Sequence, residues 1–500
     1  MSMALLSVLM LLLAGIMSAC SSTDTPPTTV KPTMTTRPAT ATPLPTVSAT
    51  STPDTGPQVL PGDWPSYLLG GSNFNGNETA IAAATASSLT RSWISHAGGG
   101  ISSQPVVVDG TVYWGSWDGY EHATSLQGVP RWTANLGKTN SPQCYPSIAG
   151  VASTPTVAIV NIAGKQTLVV FVGGGTASFY ALNAANGRVI WKTLLDPSLG
   201  AFIWDSPVVY QGSVYIGTAS VGECPGTQGR FFRLNATTGT VERVFNVVPV
   251  GCRGGGVWGS PTIDTRTGNL YIATGNSAAC GAAEPYAMAM VELRADSLSV
   301  VGAWQVPGAE AAADGDFGST PTLFTAARGG VSQLLVGVVN KNGTFYAFRR
   351  EAVSAGPVWR AHISTPLNGC GVCPSGDIAP AAWDGHTLYV GSTSTSIGGK
   401  FCYGSIRALD PATGKYLWQH CLSSAYRVLA GVTAIPGLIA VAVGTQVVIV
   451  DATNGATRFS YHDTSRDSTF DGAPTIAHGV MYVGNLDGTL YAFAPPVQPT

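Results

Sequence analysis

From Gly62 onward the chain alternates short apolar runs, rich in β-branched and aromatic residues, with clusters of Gly, Pro, Asn and Asp. Runs this short between such turn residues predict β-strands and hairpins rather than helices. The pattern repeats. Each unit reads as a small residue and Pro, a strand, a Gly turn, an apolar strand ending in Gly, then Ala-Leu-Asn/Asp-x-x-x-Gly and a Trp. First strands begin near Pro105, Pro155, Pro207, Pro261, Pro321 and Pro380, near Thr433 without the proline, and near Pro474. Second strands follow as VYWG (112–115), VFVG (170–173), VYIG (214–217), LYIATG (270–275), LLVG (334–337), LYVG (388–391), IAVAVG (439–444) and MYVG (481–484). Turn signals run from Asn183 to Gly187, Asn235 to Gly239, Asp410 to Gly414 and Asp451 to Gly455, as expected where antiparallel strands reverse.

Eight units of four strands predict an all-β fold, an eight-bladed β-propeller, in which radial repetition leaves few exposed sheet edges. The outer strands are expected to end in Trp132, Trp191, Phe245, Trp304, Trp359, Trp418 and Phe459, and the last unit lacks its aromatic. A spare strand, Leu89 to Ile94 with Trp93, precedes the first unit. It is expected to supply the eighth blade's outer strand and close the ring.

Ahead of the propeller lie two segments of different character. Residues 5–19 are apolar and end at Cys20, and Met17-Ser18-Ala19-Cys20 resembles a bacterial lipobox, although no Lys or Arg precedes the run. Residues 1–20 are therefore expected to be a signal peptide. Residues 21–57 are almost entirely Ser, Thr, Pro and Ala, a composition expected to stay disordered and act as a tether. Residues 58–500 form the propeller in this reading. The protein is then an extracytoplasmic, membrane-anchored lipoprotein whose only membrane contact is its N-terminal lipid.

Charge narrows the partners. Charged residues are 10% of the chain, net charge is −2, and no basic run occurs, which argues against nucleic-acid binding. Beyond Cys20, eight cysteines remain (144, 224, 252, 280, 370, 373, 402 and 421), an even number suited to disulfides in an oxidising compartment. Eight cysteines allow about 105 pairings, and the sequence alone selects none. Cys370-Gly-Val-Cys373 is followed by Pro374 rather than the His of a c-type haem site. There is no HExxH, no nucleophile elbow and no phosphate loop.

A propeller places the segment before each blade's first strand and the segment after its second strand on one face. The third unit has Ser220 and Glu223 after its second strand. The fourth has Trp258 before its first strand and Asn276 after its second, joined by the hairpin that runs through Asp264 to Asn269. The fifth has Asp314 and Asp316 before its first strand and Lys341 after its second. A flat indole, oxygen donors and a cation are thus expected to converge from three neighbouring blades.

These segments resemble the pyrroloquinoline quinone (PQQ)-dependent alcohol dehydrogenases, and most of all the polyvinyl-alcohol-dehydrogenase-like members, from about Trp64 to the C-terminus. The resemblance implies Glu223, Asn276 and Asp316 as ligands of calcium, with a lanthanide ion as the alternative. It implies Asp316 as catalytic base, Trp258 as the floor beneath PQQ, Lys341 against the quinone oxygens, and Ser220 touching the cofactor. A shift of two residues would make Asp314 the base instead. The adjacent Cys-Cys pair of some relatives is missing, and Cys144 and Ser153 lie roughly in that region. No haem domain is present, so a small-molecule or polymeric alcohol would pass its electrons to a separate acceptor such as a cytochrome. Two other readings belong to other classes: a non-catalytic protein-assembly scaffold, which shares such repeats without a cofactor, and a surface carbohydrate- or polymer-binding lectin.

Overall fold

The computed structural model of the protein describes residues 57–496, apart from 279, 312–313, 366–376 and 465–467. The expected signal segment, Cys20, the tether up to residue 56 and the Cys370–Cys373 pair lie outside the described residues. Among the described residues no helix is long and apolar enough to cross a membrane.

Eight antiparallel sheets of at least four strands follow one another along the chain as eight blades. Blade 1 is built from Val106–Val108, Thr111–Gly115, Tyr120–Ser125 and Pro130–Asn135, and the later blades repeat this order. Blade 8 runs Thr475–Ala477, Val480–Gly484 and Thr489–Ala494, and takes its outer strand from Thr90–His96 at the other end of the chain. The ring is closed as the sequence predicted, with a bulge between Arg91 and Trp93.

Two recurring contacts explain the repeat. The aromatic residues do not end the outer strands, a correction to the sequence reading: Trp132, Trp191 and Trp418 lie within theirs and Trp359 begins its own, and their rings dock on the next blade. Trp93 covers Gly128, Trp132 covers Gly187, Trp191 covers Gly239, Trp359 covers Gly414 and Trp418 covers Gly455. Each of these indole N–H groups donates to a carbonyl just upstream of its glycine, as Trp93 Nε1 does to Leu126 O at 2.8 Å. A Cβ on Gly187 would come within 2.5 Å of the Trp132 ring, so the glycine of each turn is what admits the indole.

Around the central channel, the residues flanking each proline form a belt. Gln104 N–H donates to Thr154 Oγ1, Thr154 N–H to Ser206 Oγ, Ser206 N–H to Ser260 Oγ and Ser260 N–H to Thr320 Oγ1. Proline has no N–H to offer there, and the hydroxyl before it satisfies the neighbouring blade's backbone donor. Apolar layers fill the gaps between blades, as where Phe171 and Phe179 of blade 2 meet Val214 and Phe232 of blade 3.

One element carries no repeat signal. Trp64 to Asn75 crosses the channel as a strap. Trp64 exchanges backbone bonds with Val107 of blade 1, and Pro65 O accepts from Val157 N–H of blade 2. Ser72 O accepts from Trp383 of blade 6, Asn73 O from Ala434 of blade 7, and Asn75 Nδ2 donates to Ile476 O of blade 8. Asp63 pairs with His478 and Glu78 accepts from Gly479 N–H, both at the first turn of blade 8.

Candidate functional site

The lead-in segments of blades 4 and 5 are hooked to the end of the preceding blade's second strand. Val257 N–H donates to Thr218 O, and Phe317 N–H donates to Thr274 O. This stitching brings residues from blades 3, 4 and 5 together on the upper face.

At the centre is Asp316, which is buried. Its Oδ1 accepts from the backbone N–H of Asn276 at 2.6 Å, and its Oδ2 accepts from Lys341 Nζ at 3.1 Å. Its own carbonyl accepts from Lys341 N–H at 3.0 Å, and the Asn340 side chain donates to Gly315 O at 2.7 Å. The residue is thus held between blades 4 and 5, its carboxylate by the Asn276 N–H and the Lys341 ammonium and its carbonyl by the Lys341 N–H. Asp314 points to the same lysine, with Nζ 2.9 and 3.0 Å from its two oxygens. The spacing of two residues in an extended segment puts both side chains on one side. The sequence reading left Asp314 as a spare; in the structure it makes two contacts to the cation, where Asp316 makes one.

Lys341 Nζ also lies 5.0 Å from the ring centroid of Trp258, within cation–π range. The Trp258 indole reaches over Gly318, where a Cβ would come within 2.0 Å of its Cη2. Glycine at 318 is what lets the ring lie flat across the lead-in of blade 5. Glu223 is exposed on the blade 3 loop. Ser220 ends the second strand of blade 3, and its carbonyl accepts from Trp204 Nε1 at 3.0 Å. The structure thus joins Asn276, Asp314, Asp316, Lys341 and Trp258 directly, and sets Glu223 within electrostatic reach; Ser220 stands at the rim. Ser153 is buried, with a hydroxyl that has no partner, and Cys144 forms a disulfide with Cys224, next to Glu223.

Electrostatics describe the same group. Burial pushes the Asp316 carboxyl above its usual range; Lys341 and the Asn276 N–H pull it down and Asp314 adds to the rise. Although the residue as a whole is exposed, loss of water around its carboxyl, then Asp316 and Asp314, raise Glu223, against Lys341. Burial opposes the charge on Lys341, but Asp316 and Asp314 outweigh it and hold its pKa above the ordinary lysine value. Three carboxylates face a single ammonium, so the cluster is left with negative charge to neutralise.

The donor set fits a hard cation. The Asn276 amide lies against the Asp316 carboxylate, and with its nitrogen turned inward it donates to both oxygens, 3.2 Å from Oδ2. Turned over, it offers an oxygen beside the oxygens of Asp316, with Glu223 nearby, which is the donor chemistry calcium and related ions take. The adjoining Trp258 indole offers an apolar plane for a flat ligand.

This cluster gives the protein a pH signature. Both Glu223 and Asp316 have raised pKa values, so the metal-free fold is favoured while they are protonated and loses that contribution as pH rises through those values. A cation bound among them reverses the effect. Calcium should therefore raise Tm more at about pH 8 than at about pH 5, as read by calorimetry. An equal shift at both pH values would mean that these carboxylates do not hold the ion.

Comparison with known proteins agrees with the architecture. Residues 127–397 and 403–495 match the PQQ_2 family, described as "Outer membrane protein assembly factor BamB". The polyvinylalcohol dehydrogenase of a Pseudomonas sp. is 24% identical over 222 residues, 39% of this chain and 33% of that protein. The polyvinylalcohol dehydrogenase of Sphingopyxis sp. (strain 113P3) is 25% identical over 311 residues, 53% of this chain and 46% of that protein. The matched stretch thus spans between a third and a half of these relatives. Among solved structures, quinohemoprotein alcohol dehydrogenase from Comamonas testosteroni superimposes with a TM-score of 0.67 at 18% identity, over 88% of this chain and 81% of that one.

Proposed function

The chain belongs to the PQQ_2 family of β-propellers, and from that premise we propose that it is a quinoprotein dehydrogenase that oxidises an alcohol, secondary or polymeric. The observation that carries the reading is the meeting of Asn276, Asp314, Asp316, Lys341 and Trp258 on the upper face, with Glu223 within electrostatic reach. The relatives named polyvinylalcohol dehydrogenase support the substrate class.

In this reading Glu223, Asn276 and Asp316 would hold a metal ion, calcium or a lanthanide, and Trp258 and Ser220 would contact PQQ. When bound, the quinone supplies the two-electron acceptor and the metal supplies Lewis acidity. The remaining work falls to the chain. Asp316, fixed through Oδ1 by Asn276 N–H, takes the hydroxyl proton of the alcohol at Oδ2. Lys341 sets its charge beside the oxygen where negative charge develops, and its pairing with Asp314 keeps the ammonium in position. Electrons leave to a separate acceptor such as a cytochrome.

The protein acts outside the cytoplasm, held by acylated Cys20 through its Ser/Thr/Pro-rich tether. Three disulfides among the described residues, Cys144–Cys224, Cys252–Cys280 and Cys402–Cys421, favour an oxidising compartment. A second reading, a non-catalytic assembly scaffold, follows from the description of the family itself. It gives no reason for acidic side chains and Lys341 to converge against Trp258.

Substitution of the oxygen donors tests the site. Glu223→Ala and Asn276→Ala should each raise the calcium needed for PQQ binding, read by quenching of tryptophan fluorescence. Losing a ligand oxygen should cost at least what losing an outer-sphere partner costs, on the order of tenfold. Both variants should keep the metal-free fold. If both bind PQQ at the same calcium as the parent, the ligand assignment is wrong and the scaffold reading gains.

A further inference from the structure

We propose that two of the disulfides, Cys144–Cys224 and Cys252–Cys280, are positioning groups that aim the oxygen donors of this site, the first acting through Glu223. The inference rests on the metal site proposed above and adds the groups that hold its ligands in place.

Glu223 is not anchored by its own strand. It follows the last residues of the blade 3 second strand and has φ of +59°, a left-handed conformation that a side-chain-bearing residue adopts only when its surroundings impose it. What imposes it lies on both sides. Before it, Val221 N–H donates to Gly200 O, and the Tyr145 carbonyl packs so close to Gly222 that a Cβ there would stand 2.8 Å away. After it, Cys224 is bonded to Cys144. Cys144 in turn is buried with Ala149, Ala152, Phe202 and Val221, flanked by Trp117 and Trp204. The first disulfide therefore ties the residue next to Glu223 to a packed aromatic platform between blades 1 and 3.

The second disulfide closes the blade 4 segment. Cys252 precedes Trp258 and Cys280 follows Asn276, and the two strands between them are already cross-bonded. Gly255 N–H donates to Asn276 O at 2.8 Å, and Gly275 N–H donates to Gly256 O at 2.9 Å. The same segment grips the Glu223 loop: Gly254 N–H donates to Thr227 O and Gly229 N–H to Gly254 O, each at 2.8 Å. Residues 221–229, 252–258 and 274–278 thus form one block, with a disulfide on each flank. A loop that carries a metal ligand loses conformational freedom when the ion binds, and a cross-link that has already removed that freedom strengthens binding. Cys402–Cys421 is different. It joins the third and fourth strands of blade 6 and belongs to no segment of this block.

The test uses terbium ions as the probe, with tryptophan-sensitised luminescence reporting affinity on the purified protein. The pair Cys144→Ala/Cys224→Ala should weaken terbium binding by about tenfold or more, as loss of outer-sphere support does. Cys252→Ala/Cys280→Ala should weaken it in the same direction, whereas Cys402→Ala/Cys421→Ala should leave it unchanged. A cycle with Glu223→Ala separates positioning from general loosening. Once Glu223 is gone, removing Cys144–Cys224 should cost little further, because coupled groups are non-additive. If the alanine pair does not fold, brief reduction of the native protein, with alkylated Cys144 and Cys224 located by mass, gives the same comparison. Parental affinity without the Cys144–Cys224 bond, or a fully additive loss in the Glu223→Ala background, overturns the inference while leaving the metal site standing. A parent protein that binds no terbium removes the metal site, and this inference with it.

Discussion

A protein lacking residues 58–97 should be recovered as aggregate rather than as a folded propeller. The deletion removes Thr90–His96, and with it the pairing on the outer side of Thr489–Ala494, so blade 8 would end on an exposed strand edge. Such an edge is a template for association with other chains. It also removes Trp93, whose ring covers Gly128 of blade 1, and so opens the seam between the last blade and the first. The strap goes too, and with it the hydrogen bonds that tie blades 1, 2, 6, 7 and 8 across the channel. Removing only residues 21–57 should leave solubility and Tm unchanged. A soluble 98–500 fragment with a single cooperative melting transition would contradict the closure account.

Asp316→Asn should abolish most turnover, a fall of about a hundredfold or more, while PQQ and metal still bind. The side chain keeps its shape and its amide can still occupy the place between Asn276 and Lys341, but it no longer accepts a proton. Asp314→Asn should be mild with calcium. Asp314 is the more exposed of the two, at 28% against 9% for the side chains, and among the described residues its side chain bonds to Lys341. Steady-state dye reduction by the two variants decides the matter. A dead Asp314→Asn variant beside an active Asp316→Asn variant, with lanthanum activating the parent where calcium does not, would invert the assignment.

Much of the fold was legible because its repeat writes the same local chemistry into every blade. Pro-flanked first strands, Gly-ended second strands and the Asn/Asp-to-Gly turn each mark a backbone requirement that the sequence must meet locally. Even closure could be read, since the missing aromatic of blade 8 and the unused Trp93 are complementary gaps in one series. What stayed hidden depends on contacts far apart in the chain. The strap from Trp64 to Asn75 has no periodicity, and its bonds reach as far as Ile476. The hydroxyls before the prolines read only as small residues in the sequence, because the N–H groups that end on them belong to the neighbouring blade.

The candidate site was legible in a similar, partial way. The positions of Trp258, Asn276, Asp316 and Lys341 follow from blade geometry, and the structure brings these side chains together. The engagement of Lys341 by Asp314 was not legible, because the choice between two aspartates in one extended segment depends on where the lysine of another strand ends. Nor was the pairing of Cys144 with Cys224. Their separation of 80 residues spans two blades, and eight cysteines give no local signal for it.

The central claim is that this propeller binds PQQ with a metal and uses the pair to oxidise an alcohol. The most direct measurement adds PQQ and calcium to the purified metal-free protein, then follows quinone absorption and the reduction of an artificial electron acceptor with a panel of primary, secondary and polymeric alcohols. The account predicts stoichiometric quinone absorption that requires the metal, and dye reduction that requires both cofactor and alcohol and is lost in Asp316→Asn. A protein that binds no PQQ with calcium or with lanthanum, or that binds it and reduces no dye with any alcohol, would contradict it.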